Sequence, residues 1–471
     1  MPTRFLCRLV GVLGNSGMCL SNPHIIAKRK AGIQINMLLR IGIFFMRLQI
    51  ACLLALLAGT QTSAAADATA YSGTIGKLPI IVELAPFDAE GKLIGRYSYV
   101  NKGGDIPLHG TTPAEDGKLS LQEEKPCTEK LCKSDAGDRL EIAPIGAEWN
   151  LTIENDGGTL EGTWQDKESG KSLPIKLERK AMRALTDSYQ GYDSIDPTFI
   201  SDTSEPPVLT PALLPYDFLK IAVPMKEGAV QTVGDSAYRL DEDPRTKLVY
   251  PYVTKLGNQD PAPLNTYLNQ QRLQFELPAF SCMARSYLGS GWSGQGGEGT
   301  TGFEEGGATV SVEHLTSRLM GVVESGSYYC GGAYPDNFTD HRLVDARTGE
   351  ALVPESLLRG WVATREDGTV VDPTSVEDTT GLNFGPSEEL IKFVNDHRDK
   401  SDATLESDCG MSDLVRTNLG IYFTQDSMVF TLRSLPHVIF ACTSDLVKVP
   451  FKDARPLLTD AGAKYFPALD R

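Results

Sequence analysis

The sequence predicts a mainly β N-terminal domain, an antiparallel meander forming a barrel or sandwich, followed by an α+β C-terminal domain. Three observations predict it. Between residues 67 and 180, short strand-like runs are separated by turn residues and helical periodicity is nearly absent. Beyond a proline-rich stretch, strand-like runs are joined by two segments with helical spacing. Six cysteines fall within these regions, an even number that suits a disulfide framework.

Residues 1–66 come first and read as a leader. They carry seven Lys or Arg and no Asp or Glu, and end in the apolar run Leu48 to Ala58 followed by Thr62-Ser63-Ala64-Ala65-Ala66. A basic start, a short apolar core and a small-residue cleavage site describe a secretory signal peptide. The segment is long for one, and Met37 and Met46 are alternative starts. The expectation is a signal peptide with a start-site extension, a mature chain beginning near Asp67, a periplasmic or secreted location, and no integral membrane segment after processing.

In residues 67–180 the strand candidates are Leu78 to Leu84, Leu93 to Val100, Asp105 to His109, Lys118 to Glu123, Glu148 to Glu154, Thr159 to Trp164 and Lys171 to Leu177. Turns such as Glu115-Asp116-Gly117 and Asn155-Asp156-Gly157-Gly158 separate them. Alternation along Thr159 to Trp164 turns one face inward and one to water. Trp149, Trp164, Tyr97 and Tyr99 then either form core or line a ligand cavity. Gly73-Thr74-Ile75-Gly76 and Gly95-Arg96-Tyr97-Ser98-Tyr99 resemble a small β domain of bacterial exported proteins, which implies a fold and no activity.

Residues 181–235 read as a linker, because Asp193 to Pro215 holds five prolines among Asp, Ser and Thr. In residues 236–471, helices are expected over Pro263 to Phe275 and Ser387 to His397, each with apolar residues on one face. Strands are expected at Tyr238 to Leu240, Leu248 to Tyr252, Ala308 to Leu315, Leu319 to Ser327, Gly420 to Thr424, Met428 to Leu432 and Val447 to Phe451. The most individual stretch is Ser327 to Leu352. There an aromatic and cysteine cluster runs into Gly331-Gly332, a strand follows from Phe338 to Asp345, and Arg347-Thr348-Gly349-Glu350 makes a turn.

Over about residues 238 to 458 the chain resembles the extracytoplasmic family that forms the lysozyme-sensing part of certain anti-sigma factors and accompanies some peptidoglycan deacetylases. The residues that carry the resemblance are Gly331-Gly332-Ala333-Tyr334-Pro335, Phe338 to Asp345 with Thr348-Gly349, Tyr422 to Phe430, and Val447 to Phe451. The family more usually has His at the position of Tyr334, and Ser427 replaces its turn glycine. The resemblance implies recognition of a basic protein such as a lysozyme, or of a cell-wall component.

Cys127, Cys132, Cys282, Cys330, Cys409 and Cys442 are the cysteines beyond the leader. Order along the chain makes Cys127 with Cys132, Cys282 with Cys330, and Cys409 with Cys442 the economical pairing among fifteen. No Cys-x-x-Cys pair or flanking His supports a metal site, and no cofactor is expected. Taking seven positive charges from the formal net of −16 leaves the body beyond residue 66 at −23, which disfavours nucleic acid as a partner.

Catalytic residues are not expected. A set could be assembled from Ser311, His341 and Asp345, but no nucleophile elbow accompanies it. The reading is a non-catalytic envelope protein that binds through its C-terminal domain, with Tyr328, Tyr329, Tyr334 and Phe338 as binding candidates. Two alternatives stand beside it: a peptidoglycan-directed hydrolase or deacetylase, and burial of these aromatics around a Cys282–Cys330 disulfide.

Overall fold

Alternating apolar and polar residues fold the first part into eight antiparallel strands: β1 (Asp67–Ile75), β2 (Leu78–Leu84), β3 (Lys92–Tyr99), β4 (Ile106–Thr111), β5 (Lys118–Glu124), β6 (Ile145–Glu154), β7 (Thr159–Asp166) and β8 (Ser172–Ala184). Each pairs with the next, and β1 pairs with β8 to close a barrel. The computed structural model describes residues 67–111, 117–185, 195–196, 209–303, 307–371 and 381–466, which belong to one compact unit, Ser63–Arg471. The expected leader and most of the proline-rich stretch lie outside the described residues.

Inward positions Ile75, Val82, Tyr97, Leu108, Leu121, Trp149, Ile175 and Leu177 pack the barrel interior, while Lys118, Ser120, Asn150 and Lys176 face water. This is the reverse of a bilayer-spanning barrel, whose outer band is apolar. Among the described residues no helix is long and apolar enough to cross a membrane. The sequence reading names seven strands here and omits β1, whose Asp-Ala-Thr-Ala-Tyr-Ser-Gly composition gives little apolar signal. Closure needs a glycine in β1, because a Cβ at Gly73 would lie 1.9 Å from the Lys176 carbonyl oxygen of β8.

Outward residues of the barrel meet a helix from the segment read as linker. A single turn, α1 (Glu129–Cys132), precedes that helix, α2 (Pro215–Ile221). Beneath α2 six charged side chains are buried: Glu83, Arg96, Asp105, Arg183, Asp217 and Lys220. Arg96 donates to Glu83 (2.9 Å), Asp105 (3.1 Å) and Asp217 (2.8 Å), and Arg183 donates to Glu83 (2.7 Å). Lys220 (2.5 Å) and the Tyr216 hydroxyl (2.7 Å) donate to Asp105. Burial alone would raise Asp105, but Lys220 and Arg96 outweigh it and hold the carboxyl below its usual range. Burial pushes Asp217 up against the pull of Arg96. Three cations face three anions, so the desolvated cluster balances.

Among the described residues, the remaining chain forms four small antiparallel sheets around helices. A sheet of β9 (Gln231–Val233), β10 (Ser236–Glu242) and β11 (Val249–Leu256) leads into α3 (Ala262–Ala284). That helix extends past the expected end at Phe275 and continues through Pro278. Next come β12 (Ala308–Leu315), β13 (Leu319–Tyr328), β14 (Asp336–Asp345) and β15 (Ala351–Leu352), hydrogen-bonded in that order. Gly349 makes the β14–β15 turn at φ 73°. A Cβ there would lie 2.4 Å from the Pro263 carbonyl oxygen at the start of α3.

The sheet of β16 (Trp361–Thr364), β17 (Val370–Val371) and β18 (Asn383–Pro386) precedes α4 (Glu388–His397). Ser387 caps α4 by accepting from the Leu390 N–H. Two further helices, α5 (Ala403–Cys409) and α6 (Met411–Thr417), and the sheet β19 (Leu419–Phe423), β20 (Ser427–Leu432) and β21 (Asp445–Pro450) complete the order to the last short helices. Their shared core holds Leu390, Val394, Val415, Ile421, Phe430 and Leu458. Three cysteine pairs, Cys127–Cys132, Cys282–Cys330 and Cys409–Cys442, are bonded as expected, with Cα–Cα distances of 5.5, 5.5 and 5.8 Å. Such bonds suit an oxidising compartment.

Candidate functional site

The aromatic segment divides. Tyr328, at the end of β13, donates its hydroxyl to the Pro278 carbonyl oxygen of α3 (3.0 Å) and packs against Phe303 with centroids 5.0 Å apart. Phe338 on β14 lies edge-on to Phe275 and Phe303, so both residues belong to an internal aromatic cluster. Tyr329 is half-buried and donates to the carbonyl oxygens of Gln295 (2.9 Å) and Gly332 (3.0 Å), which ties down the loop between them. Tyr334 alone among the four is exposed, at 59 %.

Its ring lies flat on the His437 imidazole, with centroids 4.4 Å apart and planes 12° apart. Asn337 reaches His437 Nδ1 (3.4 Å), and the next residue, Val438, is 81 % exposed. His437 and Val438 were not singled out in the sequence, since a hundred residues separate His437 from Asn337. Each half of this platform is anchored by a disulfide, Cys330 before Tyr334 and Cys442 after His437. Rigid aromatic surface loses little entropy on binding.

These placements separate by stability. Phe338→Ala should cost roughly 2 to 4 kcal/mol through the void left among Phe275 and Phe303. Tyr334→Ala should stay within about 0.5 kcal/mol of wild type, as exposed positions do. Urea denaturation of both variants checks this, and equal costs would place Tyr334 in the core.

His341, on β14, stacks on Tyr422 of β19 at 4.1 Å and meets Glu313 Oε2 at 3.1 Å, and the Tyr422 hydroxyl donates to Asp445 (2.7 Å). The cleft they line, with Arg342 and Phe423, has only about 10 Å³ of free volume. That is room for one water and no substrate. The Ser311, His341 and Asp345 set is not assembled, because His341 and Asp345 stand four residues apart on β14, about 13 Å along the strand, and Asp345 is bonded to Arg347 (2.5 and 3.0 Å) and Tyr465 (3.1 Å). His314 is buried, with Nδ1 2.8 Å from the Thr424 carbonyl oxygen and its ring edge-on to Phe451 and Phe466, and burial lowers its pKa. Among the described residues no cluster of His, Cys, Asp and Glu is arranged to hold a metal ion.

A larger cavity, of about 400 Å³, opens at one end of the barrel. Leu119, Leu121 and Glu123 occupy successive inward positions of β5, so Glu123 ends the apolar interior with a carboxylate. The indoles of Trp149 and Trp164, paired across β6 and β7, both donate to its Oε2 (2.9 and 2.8 Å). Burial raises the Glu123 pKa against these bonds. Trp149 and Tyr97 are core, edge-on at 4.9 Å, whereas Trp164 lines the cavity.

The segment after α3 covers this rim. Cys127 N–H donates to the Ser286 carbonyl oxygen (2.8 Å), Gly289 N–H to Glu124 Oε2 (3.0 Å) and Arg139 to the Leu288 carbonyl oxygen (2.6 Å). Tyr287 thereby lines the cavity opposite the strands. The sequence marks Trp164 as inward or ligand-facing, but nothing local links Glu123 to Tyr287. Comparison with known proteins finds no family model that matches the chain and no match among curated proteins.

Proposed function

We propose that this protein is a non-catalytic, exported envelope protein, periplasmic or secreted, that recognises a basic protein such as a lysozyme through its C-terminal domain. One observation carries the reading: the exposed Tyr334 ring is held flat on His437 between two disulfide-anchored segments. Aromatic residues concentrate binding energy where they are rigid and accessible. Charge supplies the direction, because the body beyond residue 66, at −23 once seven positive charges are taken from the formal net of −16, attracts a cationic surface, and Asp336, two residues after Tyr334, stands exposed. The leader and the three disulfides support export.

The test is binding of the mature chain to an immobilised lysozyme, with Tyr334→Ala alongside. Wild type should bind and the variant should lose about tenfold or more in affinity while keeping wild-type stability. Capture by insoluble peptidoglycan with no affinity for lysozyme would move the reading to a cell-wall ligand. Equal binding by wild type and variant would remove the platform from recognition.

A further inference from the structure

At the barrel mouth Glu123, a carboxylate with no ion-pair partner among the described residues, lines a cavity with aromatic walls, and we infer that this cavity takes a ligand carrying an ammonium group on a short apolar stem. The two indoles that bond Glu123 donate to one oxygen and are neutral, so they position the carboxylate without cancelling its charge. The two lysines on the lining stand at its exposed rim, Lys125 against Glu168 (2.9 Å) and Lys167 against Glu148 (2.8 Å), and neither forms an ion pair with Glu123. Glu124 is engaged by His109 (2.5 Å) and the Gly289 N–H (3.0 Å).

Ligand classes differ in what they do with Glu123. An anion is repelled by it and by Asp166 on the same lining. A neutral ligand displaces water from the carboxylate without replacing its charge partner. An ammonium ion forms a charge-assisted hydrogen bond, and its stem rests against Trp164, Tyr287 and Ile145. A cavity of about 400 Å³ falls within the size range of small-molecule sites, and barrel mouths are a common place for them. The ammonium belongs either to a free amine or to a lysine side chain of another protein, which present the same head group.

The probes are benzylammonium, N-acetyl-lysine methylamide and benzyl alcohol, titrated into the full mature chain and followed through the indole N–H resonances of Trp149 and Trp164. Both indoles bond Glu123, so cation binding should shift them saturably, whereas benzyl alcohol should leave them in place. Glu123→Gln, which keeps a hydrogen-bond acceptor and removes the charge, should weaken binding of either cation by about tenfold or more. Tighter binding of the lysine derivative supports a protein-borne ligand, and tighter binding of benzylammonium supports a free amine. No saturable shift with either cation, or equal shifts with benzyl alcohol, overturns the inference. The wild-type titration stands alone should Glu123→Gln fail to fold.

Discussion

Arg96→Leu is expected to lower the unfolding free energy by about 3 to 5 kcal/mol, because it breaks a buried ionic cluster on one side only. Glu83 keeps Arg183, and Asp105 keeps Lys220 and Tyr216. Asp217 fares worst, since the 2.8 Å bond from Arg96 is its direct ionic contact and its side chain is 1 % exposed. An uncompensated carboxylate in that position must take up a proton or draw water under α2. The double variant Arg96→Leu with Asp217→Asn removes the stranded charge and should recover part of the loss, a coupling readable in a double-mutant cycle of urea denaturation. A cost below about 1 kcal/mol for Arg96→Leu would show that the cluster is open to water, as surface ion pairs are.

Removing the Cys282–Cys330 disulfide should be nearly as costly, at about 4 kcal/mol, because it closes a loop of 48 residues. The same model gives about 2 kcal/mol for Cys127–Cys132, whose partners are five apart. Paired Cys→Ala variants compared by urea denaturation should keep that order. The longer loop spans the end of α3, the glycine-rich segment and β12–β13, so its loss also frees one anchor of the Tyr334 platform. Equal costs for the two pairs would mean that loop closure does not govern their contributions.

Much of the fold was legible because its signals are local. Period-two alternation in Thr159 to Trp164, with Asn155 and Asp156 at positive φ in the turn between β6 and β7, marks strands and hairpins within a few residues. Cysteine order favoured, among fifteen possible pairings, the one that the structure shows. What was not legible depends on distance in the chain. Barrel closure pairs Asp67 with Ala184, a contact with no local trace. Glu83 and Arg96 occupy outward strand positions, where a charge reads as solvent-facing until α2 covers it.

The candidate sites follow the same division. The aromatic stretch around Tyr334 was visible, but its division into core (Tyr328 and Phe338) and surface (Tyr334) depends on α3 and on Phe303. His437 completes the platform from a remote segment. At the barrel mouth, Trp164 was foreseeable as inward-facing, whereas Tyr287 arrives from beyond α3.

The proposed recognition of a basic protein at the Tyr334–His437 platform is tested most directly by the affinity of residues 67–471 for a lysozyme across a salt series from about 0.05 to about 0.5 M. Binding should be measurable at low salt, weaken steadily as salt rises, and be largely lost in Tyr334→Ala at every salt concentration. Absence of binding at low salt, or binding equal in wild type and Tyr334→Ala, would contradict it.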